Sequence, residues 1–274
     1  MRGWLAAGAA GLLGAPLATL ALARHRWPYR PRLERIEVRL PAGHEALAGL
    51  RIGFVTDTHV GPFIRGDDVR RACDLLAAAR PDLLLLGGDY ISESSRYADE
   101  AARALAPLAA AAPLGALAVL GNHDYSVGGA RMQAALEAQG IRVLRNEAVA
   151  VTRGAGTVLV AGIDETLLGS PDPGGTLAQV PAGAAALALW HEPQFAEQAA
   201  AHGAFLQLSG HTHGGQVVLP VVGAVGLPIH GDRHVVGWSD AAGMPVYTSR
   251  GVGIYRPPLR FRCAPEVTLV TLIG

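Results

Sequence analysis

Five short apolar runs in this chain each end on a side chain able to bind a metal ion. Residues 52–56 lead into Asp57-Thr58-His59, and residues 83–86 into Gly87-Gly88-Asp89. Residues 116–120 lead into Gly121-Asn122-His123-Asp124, residues 185–190 into His191, and residues 205–208 into Ser209-Gly210-His211-Thr212-His213. Carboxylate, amide and imidazole groups delivered repeatedly to one edge of a protein need a strongly charged object among them. A dinuclear metal centre meets that need, and the chemistry it supports is two-metal hydrolysis.

Taken one at a time, these residues have simpler roles. A lone Asp57 at a strand end caps the following helix, Asp89 after two glycines is a turn residue, and Asn122 suits a turn. A lone His191 is a satisfied or exposed histidine. His211 and His213 are harder to dismiss: at spacing two in an extended segment they project to one side, with Gly210, Gly214 and Gly215 around them. Asp57 and His59 repeat that spacing.

Continuous apolar runs bounded by glycine, proline or polar residues read as strands buried on both faces, whose carboxyl ends collect ligands in open α/β sheets. From residue 50 a βα alternation predicts strands over 51–56, 83–86 and 117–120 and helices over 67–79, 98–111 and 130–138. Close-spaced strands follow at 141–144, 148–152 and 158–161, then a surface loop over 169–175. The alternation resumes with a strand at 187–190, a helix over 193–202 and a strand at 206–208. The end is β-rich, at 217–222, 235–238, 246–248 and 267–272. This order fits an α/β protein, a four-layer α-β-β-α sandwich of two mixed sheets with helices on the outer faces.

The chain has 274 residues, enough to bury a substantial core. Its 23 basic and 23 acidic residues balance, and every basic residue is arginine, so no bulk field draws in nucleic acid. Cys73 and Cys263 are too few for a disulfide framework. Residues 4–23 carry no charge and are long enough for one membrane crossing, which makes an N-terminal apolar helix over residues 1–23 the expectation. It reads as a membrane anchor, a cleaved signal peptide ending near Ala21-Leu22-Ala23, or a packed helix. Arg24, Arg26, Arg30, Arg32 and Arg35 follow it whereas only Arg2 precedes it, an asymmetry that holds the following domain in the cytoplasm. Residues 24–49 then form a basic linker with a first strand at 36–40, and residues 50–274 the catalytic domain.

In their order, Asp57-x-His59, Gly88-Asp89, Gly121-Asn122-His123-Asp124, His191 and Gly210-His211-x-His213 resemble the signature of the calcineurin-like metallophosphoesterases. The context of His191-Glu192-Pro193 and Gly210 to Gln216 is similar to a bacterial membrane-associated branch of that family, which includes phosphodiesterases acting on lipids or lipid-linked nucleotides. The resemblance implies that Asp57, His59 and His213 hold one metal, that Asn122, His191 and His211 hold the other, and that Asp89 bridges them. A bridging hydroxide then attacks phosphorus. Nitrogen and oxygen ligands without thiolate suit Mn, Fe, Zn or Co and do not choose among them. His123, left without a metal, stands where a leaving oxygen needs a proton, and Asp124 is the expected orienter of its imidazole. The family often has a second Asp three residues after the bridging one. Ser92 stands there, a position expected to support the metal ligands from behind.

The function implied is hydrolysis of a phosphate ester, a phosphodiester or pyrophosphate of a membrane lipid or lipid-linked nucleotide, at the bacterial inner membrane and on its cytoplasmic face. The alternatives are a soluble nucleotide phosphodiesterase or nuclease, a non-catalytic metal-binding scaffold, and export after signal cleavage. The apolar stretch 217–228 is a core strand and turn, or the wall of a greasy channel beside the metals. His230 and His234 read as structural, and no oligomeric state is implied.

Overall fold

A computed structural model describes residues 19–228 and 231–274. Along the chain come β1 (Arg32–Arg39), β2 (Arg51–Val55), α1 (Gly66–Ala77), β3 (Leu83–Leu86), α2 (Ala98–Ala111), β4 (Ala116–Ala118), α3 (Asn122–Glu137) and β5 (Arg142–Val143). The second half has β6 (Glu147–Arg153), β7 (Gly156–Gly162), α4 (Pro173–Leu177), β8 (Ala185–Leu189), α5 (Ala196–Ala201) and β9 (Leu206–Ser209). It ends with a small ribbon of β10 (Val218–Leu219) and β11 (Gly223–Ala224), then β12 (Gly237–Ala241), β13 (Met244–Thr248) and β14 (Glu266–Ile273).

Two six-stranded mixed sheets result, ordered β1-β14-β2-β3-β4-β5 and β12-β13-β9-β8-β7-β6. Strand periodicity explains how they pack. In β3 the side chains of Leu83 and Leu85 join Ile52, Phe54, Leu187 and Leu208 in the core between the sheets, whereas Leu84 and Leu86 face α1, α2 and α3. The second sheet turns Leu187 and Leu189 inward and the small Ala186 and Ala188 outward, where Leu177, Ala196 and Ala199 of α4 and α5 press against them. All four β3 leucines are fully buried, so truncation of Leu85 to alanine costs about 2–5 kcal/mol.

Where the elements differ from the periodic reading, local chemistry explains why. Helix α3 starts at Asn122, eight residues before the expected 130, because Asp124 accepts the Gly121 amide at 3.0 Å and caps it there. The helix is kinked at Gly128, at φ 136°. The expected loop at 169–175 contains the start of α4, whose first turn is capped by Asp172 on the Gly175 amide. The strand expected at 217–222 is only the ribbon strand β10, and the one expected at 235–238 lies at Gly237–Ala241. β1 begins at Arg32 and runs parallel to β14 along its whole length, a pairing of the two ends of the chain.

Residues 19–25 are helical. The rest of the apolar helix expected over residues 1–23 lies outside the described residues, and so does His230. Among the described residues no helix is long and apolar enough to cross a membrane.

Candidate metal centre

β2, β3 and β4 run parallel in one sheet, and β7, β8, β9 and β13 run parallel in the other. Their carboxyl ends deliver Asp57 and His59, Asp89, Asn122, His191, and His211 with His213 to one place. Asp57, His59, Asp89, His191, His211 and His213 are all buried, the most accessible of them being His213 at 7%.

The side chains form two groups that meet at one carboxylate, and a third, His59 with Asp89 and His123, overlaps both. Ligand atoms of Asp57, His59 and His213 lie within 4.8 Å of one another, and so do those of Asp89, His191 and His211. Oδ2 of Asp89 is 3.5 Å from Nε2 of His59 and 3.3 Å from Nε2 of His191, so this one oxygen faces both groups. Asn122 joins the second group, its Oδ1 3.0 Å from Nδ1 of His211.

Sequence spacing suggests that His211 and His213 share an extended segment and project together; the structure corrects this. His211 and His213 sit in the left-handed region, at φ 70° and 52°, and they face different groups. Asp57, His59 and Asp89 are also left-handed, at φ 53°, 46° and 54°. Such conformations cost roughly 1–3 kcal/mol each in non-glycine residues and persist where the surroundings impose them, typically at functional sites. Close backbone approach completes the cradle. A Cβ at Gly210 would stand 2.1 Å from Oδ2 of Asp57, and one at Gly121 would stand 2.3 Å from Oδ1 of Asp89. Only glycine lets these carboxylates lie against the chain.

The polar partners are those a cation requires. Nδ1 of His191 is 2.6 Å from the Gly87 carbonyl, which can only accept, so Nδ1 carries a proton and Nε2 is the nitrogen turned toward Asp89. That buried Nε2 has no hydrogen-bond partner among the described residues. Nε2 of His59 lies 2.9 Å from Nε2 of His213, which is 3.4 Å from Oδ1 of Asp57. Burial drives His59 and His211 each down to about 3, and His213 well below its ordinary value, so these imidazoles stay neutral with lone pairs available. Burial, reinforced by the Asp89 charge against the opposing pull of His191, pushes Asp57 up to about 7. Burial also disfavours the His191 imidazolium, but Asp89 and Asp57 outweigh it and raise His191 well above its usual range. A pocket of three neutral rings, the His191 ring and buried carboxylates fits divalent cations, with Asp57, His59 and His213 on one side, Asn122, His191 and His211 on the other, and Asp89 between.

The expected role of Asp124 is corrected. It is fully buried, and its two oxygens accept the amides of Tyr90 at 2.9 Å, Ile91 at 3.2 Å and Gly121 at 3.0 Å. It fixes the Asp89 turn against the start of α3 and does not touch the His123 imidazole. His123 is half-buried instead against aromatic rings, its centroid 4.3 Å from Tyr255 and 4.9 Å from His59. Its amide donates to Oδ1 of Asp89 at 2.8 Å. Ser92 is where sequence reasoning put it, behind a ligand: its hydroxyl meets Nδ1 of His59.

Sequence reasoning missed Tyr255, Gln216 and Arg256. The Gln216 carboxamide grips both backbone groups of Tyr255, accepting from its amide at 2.8 Å and donating to its carbonyl at 3.2 Å. Together with Gly226, Leu227 and Pro228 these residues wall a cavity of about 300 Å3 opposite Asp89, Asn122 and His123. Fully buried Arg260 also escaped notice; its guanidinium donates to the carbonyls of Arg250, Gly251, Gly253 and Cys263 and ties down the loop behind His213. The glycines of that loop were the available signal. Arg65 and Arg96 do not line this cavity; they lie on Glu100 and on the Tyr97 ring.

Residues 50–215 match the family model of calcineurin-like phosphoesterases. Over 99% of its length the chain is 31% identical to an uncharacterized metallophosphoesterase of Bacillus subtilis, YkuE, and covers 96% of that protein. It is 34% identical to the phosphodiesterase YaeI of Escherichia coli, with 88% of each chain covered. A segment of 116 residues is 32% identical to LpxG of Chlamydia muridarum, a UDP-2,3-diacylglucosamine pyrophosphatase, covering 42% of this chain and 35% of that one. The chain belongs to the calcineurin-like phosphoesterase family and is a metal-dependent phosphoester hydrolase.

Proposed function

We propose that this phosphoesterase hydrolyses a phosphodiester or pyrophosphate that carries a lipid, using two divalent cations held by Asp57, His59, Asp89, Asn122, His191, His211 and His213. The observation that carries the reading is the cavity, whose lining joins His123 and candidate ligand side chains to the apolar stretch Gly226, Leu227 and Pro228. A polar floor suits the scissile phosphate, and the apolar wall suits the start of an acyl chain. The similarity to a phosphodiesterase and to a lipid-nucleotide pyrophosphatase supports it.

Bound there, the cations would acidify a water and neutralise phosphoryl oxygens. The chain's own groups do the rest. His123 lines the cavity and donates a proton to the departing oxygen. Tyr255, held at both backbone ends by Gln216, packs on the His123 ring and limits its rotation. Arg256 lines the cavity and is paired with Glu93 at 2.8 Å. The four-layer arrangement expected from sequence is supported by the three separate apolar cores, one between the sheets and one beneath each set of helices. The arginines after the apolar N-terminal run support a catalytic domain at the cytoplasmic face of the inner membrane.

The test is a series of substrates sharing one scissile phosphate and differing in acyl length, assayed with Mn below their aggregation limits. kcat/KM is expected to rise with acyl length. No gain for acylated substrates over the soluble head group would remove the lipid and leave the phosphoesterase.

A further inference from the structure

The ribbon of β10 and β11 belongs to neither large sheet. Its sequence from Val217 to Pro228 contains no charged residue. Leu219 is 40% exposed, Val221 108%, Val222 69% and Val225 50%. Single exposed apolar side chains are ordinary, but a cluster on one projecting hairpin marks a contact surface. Val221 is left-handed, at φ 71°, a conformation that β-branched residues avoid. The turn thus holds its most exposed valine outward under strain.

Two neighbours indicate what covers this tip. At the base of the hairpin Val217 bridges to Phe261, the Val218 amide donates to the Phe261 carbonyl at 3.0 Å, and the Phe261 ring is 5.8 Å from Trp27. The Arg260 amide donates to the carbonyl of Ala23 at 2.9 Å. The chain arriving from the uncharged residues 4–23, long enough for a membrane crossing, is therefore fastened beside the hairpin base. Beside it lies a cleft of about 710 Å3 lined by Trp27, Arg30, Arg32 and Arg262. These three arginines are exposed and form no ion pair with the described residues. An uncharged tip, an interfacial tryptophan and unpaired arginines on one side of a protein of zero net charge are the features that anionic membranes bind.

We propose that this side docks on an anionic lipid bilayer, with Val221 and Val222 among the acyl chains and Arg30, Arg32 and Arg262 at the phosphates. The hairpin's second strand descends directly into Gly226, Leu227 and Pro228, the wall of the catalytic cavity. Docking would therefore open that cavity at head-group level. The purpose of this placement rests on the lipid-substrate reading; the docking itself does not.

The experiment uses the full chain with Val221→Cys carrying an environment-sensitive fluorophore; Cys73 and Cys263 are buried, so the added thiol takes the label. The control label is at Ala155, in the turn before β7 and so at the opposite end of the strands from the site. On vesicles of phosphatidylglycerol and phosphatidylethanolamine the emission at 221 should shift to the blue. Brominated acyl chains should quench it at least threefold more than the label at 155, and Val222→Asp in the labelled chain should abolish the difference. A label at 221 that stays in water on protein bound to vesicles overturns the proposal. A blue shift that needs no lipid and grows with protein concentration also overturns it, and assigns the tip to a second copy of the chain. Quenching at 221 without acyl-length preference in turnover keeps the docking and removes the lipid substrate; the reverse pair of results does the opposite.

Discussion

The hydroxyl of Ser92 lies 2.7 Å from Nδ1 of His59, on the ring edge opposite the nitrogen that faces Asp89 and His213. A carboxylate there would raise the basicity of the ring; a hydroxyl orients it without adding charge to an already buried acidic site. Ser92→Ala should therefore weaken metal binding about 10–100-fold at the site that uses His59, with the fold intact. Competition titration of the metal against a chelator, with circular dichroism alongside, measures this. Unchanged affinity would make Ser92 a packing residue only.

Asp89 offers one oxygen to both groups of ligands. Asp89→Asn should lower occupancy of both positions together, whereas His191→Ala should affect chiefly one. Metal analysis after gel filtration is the readout, and full occupancy in Asp89→Asn would exclude a shared ligand.

The oxygens of Asp124 are taken by backbone amides, and the His123 ring is held by ring contacts instead. His123→Ala should keep its metals and lose about a hundredfold in turnover, with a smaller loss on nitrophenyl esters, whose leaving groups need little protonation. Tyr255→Ala should show part of the same pattern. Equal losses on good and poor leaving groups would rule out proton donation.

Asp164 predicts a pH effect away from the metals. Burial alone would raise its carboxyl, but the Tyr125 hydroxyl, the Arg145 guanidinium at 3.2 Å and backbone amides hold it below the ordinary carboxylate range. A depressed native value contributes stability above the unfolded carboxylate pKa that is lost as pH falls through the native one. Asp164→Asn should then melt roughly 5 °C lower at pH 7. The gap should close as acid titrates the wild type; a gap unchanged down to pH 2 would contradict the linkage.

Full-length protein should sediment with membranes, and a chain lacking residues 1–18, which keeps the Ala23 contact, should be released by alkaline carbonate. Protease added to intact spheroplasts should spare the catalytic domain. A mature form beginning near Arg24 would show export instead.

The clustering of the candidate ligands was legible because its signal is local. Each ligand follows an apolar run that must be a buried strand, and parallel strands share one ligand-collecting edge, so Asp57, Asp89, Asn122, His191 and His211 could be placed from the chain alone. Backbone conformation at those residues was not legible: spacing two implied an extended segment, and only the packed sheets impose left-handed turns at His211 and His213. Asp124 looked like a partner for its neighbour, yet amides 33 and 34 residues away claim its Oδ1 and the Gly121 amide its Oδ2. Gln216 and Tyr255 meet across 39 residues, and β1 meets β14 across the length of the chain. Residue type and strand position determine which groups reach the edge. Which atom each group faces is decided by contacts between segments distant in sequence, because a buried donor or acceptor takes whichever partner the packing brings within reach.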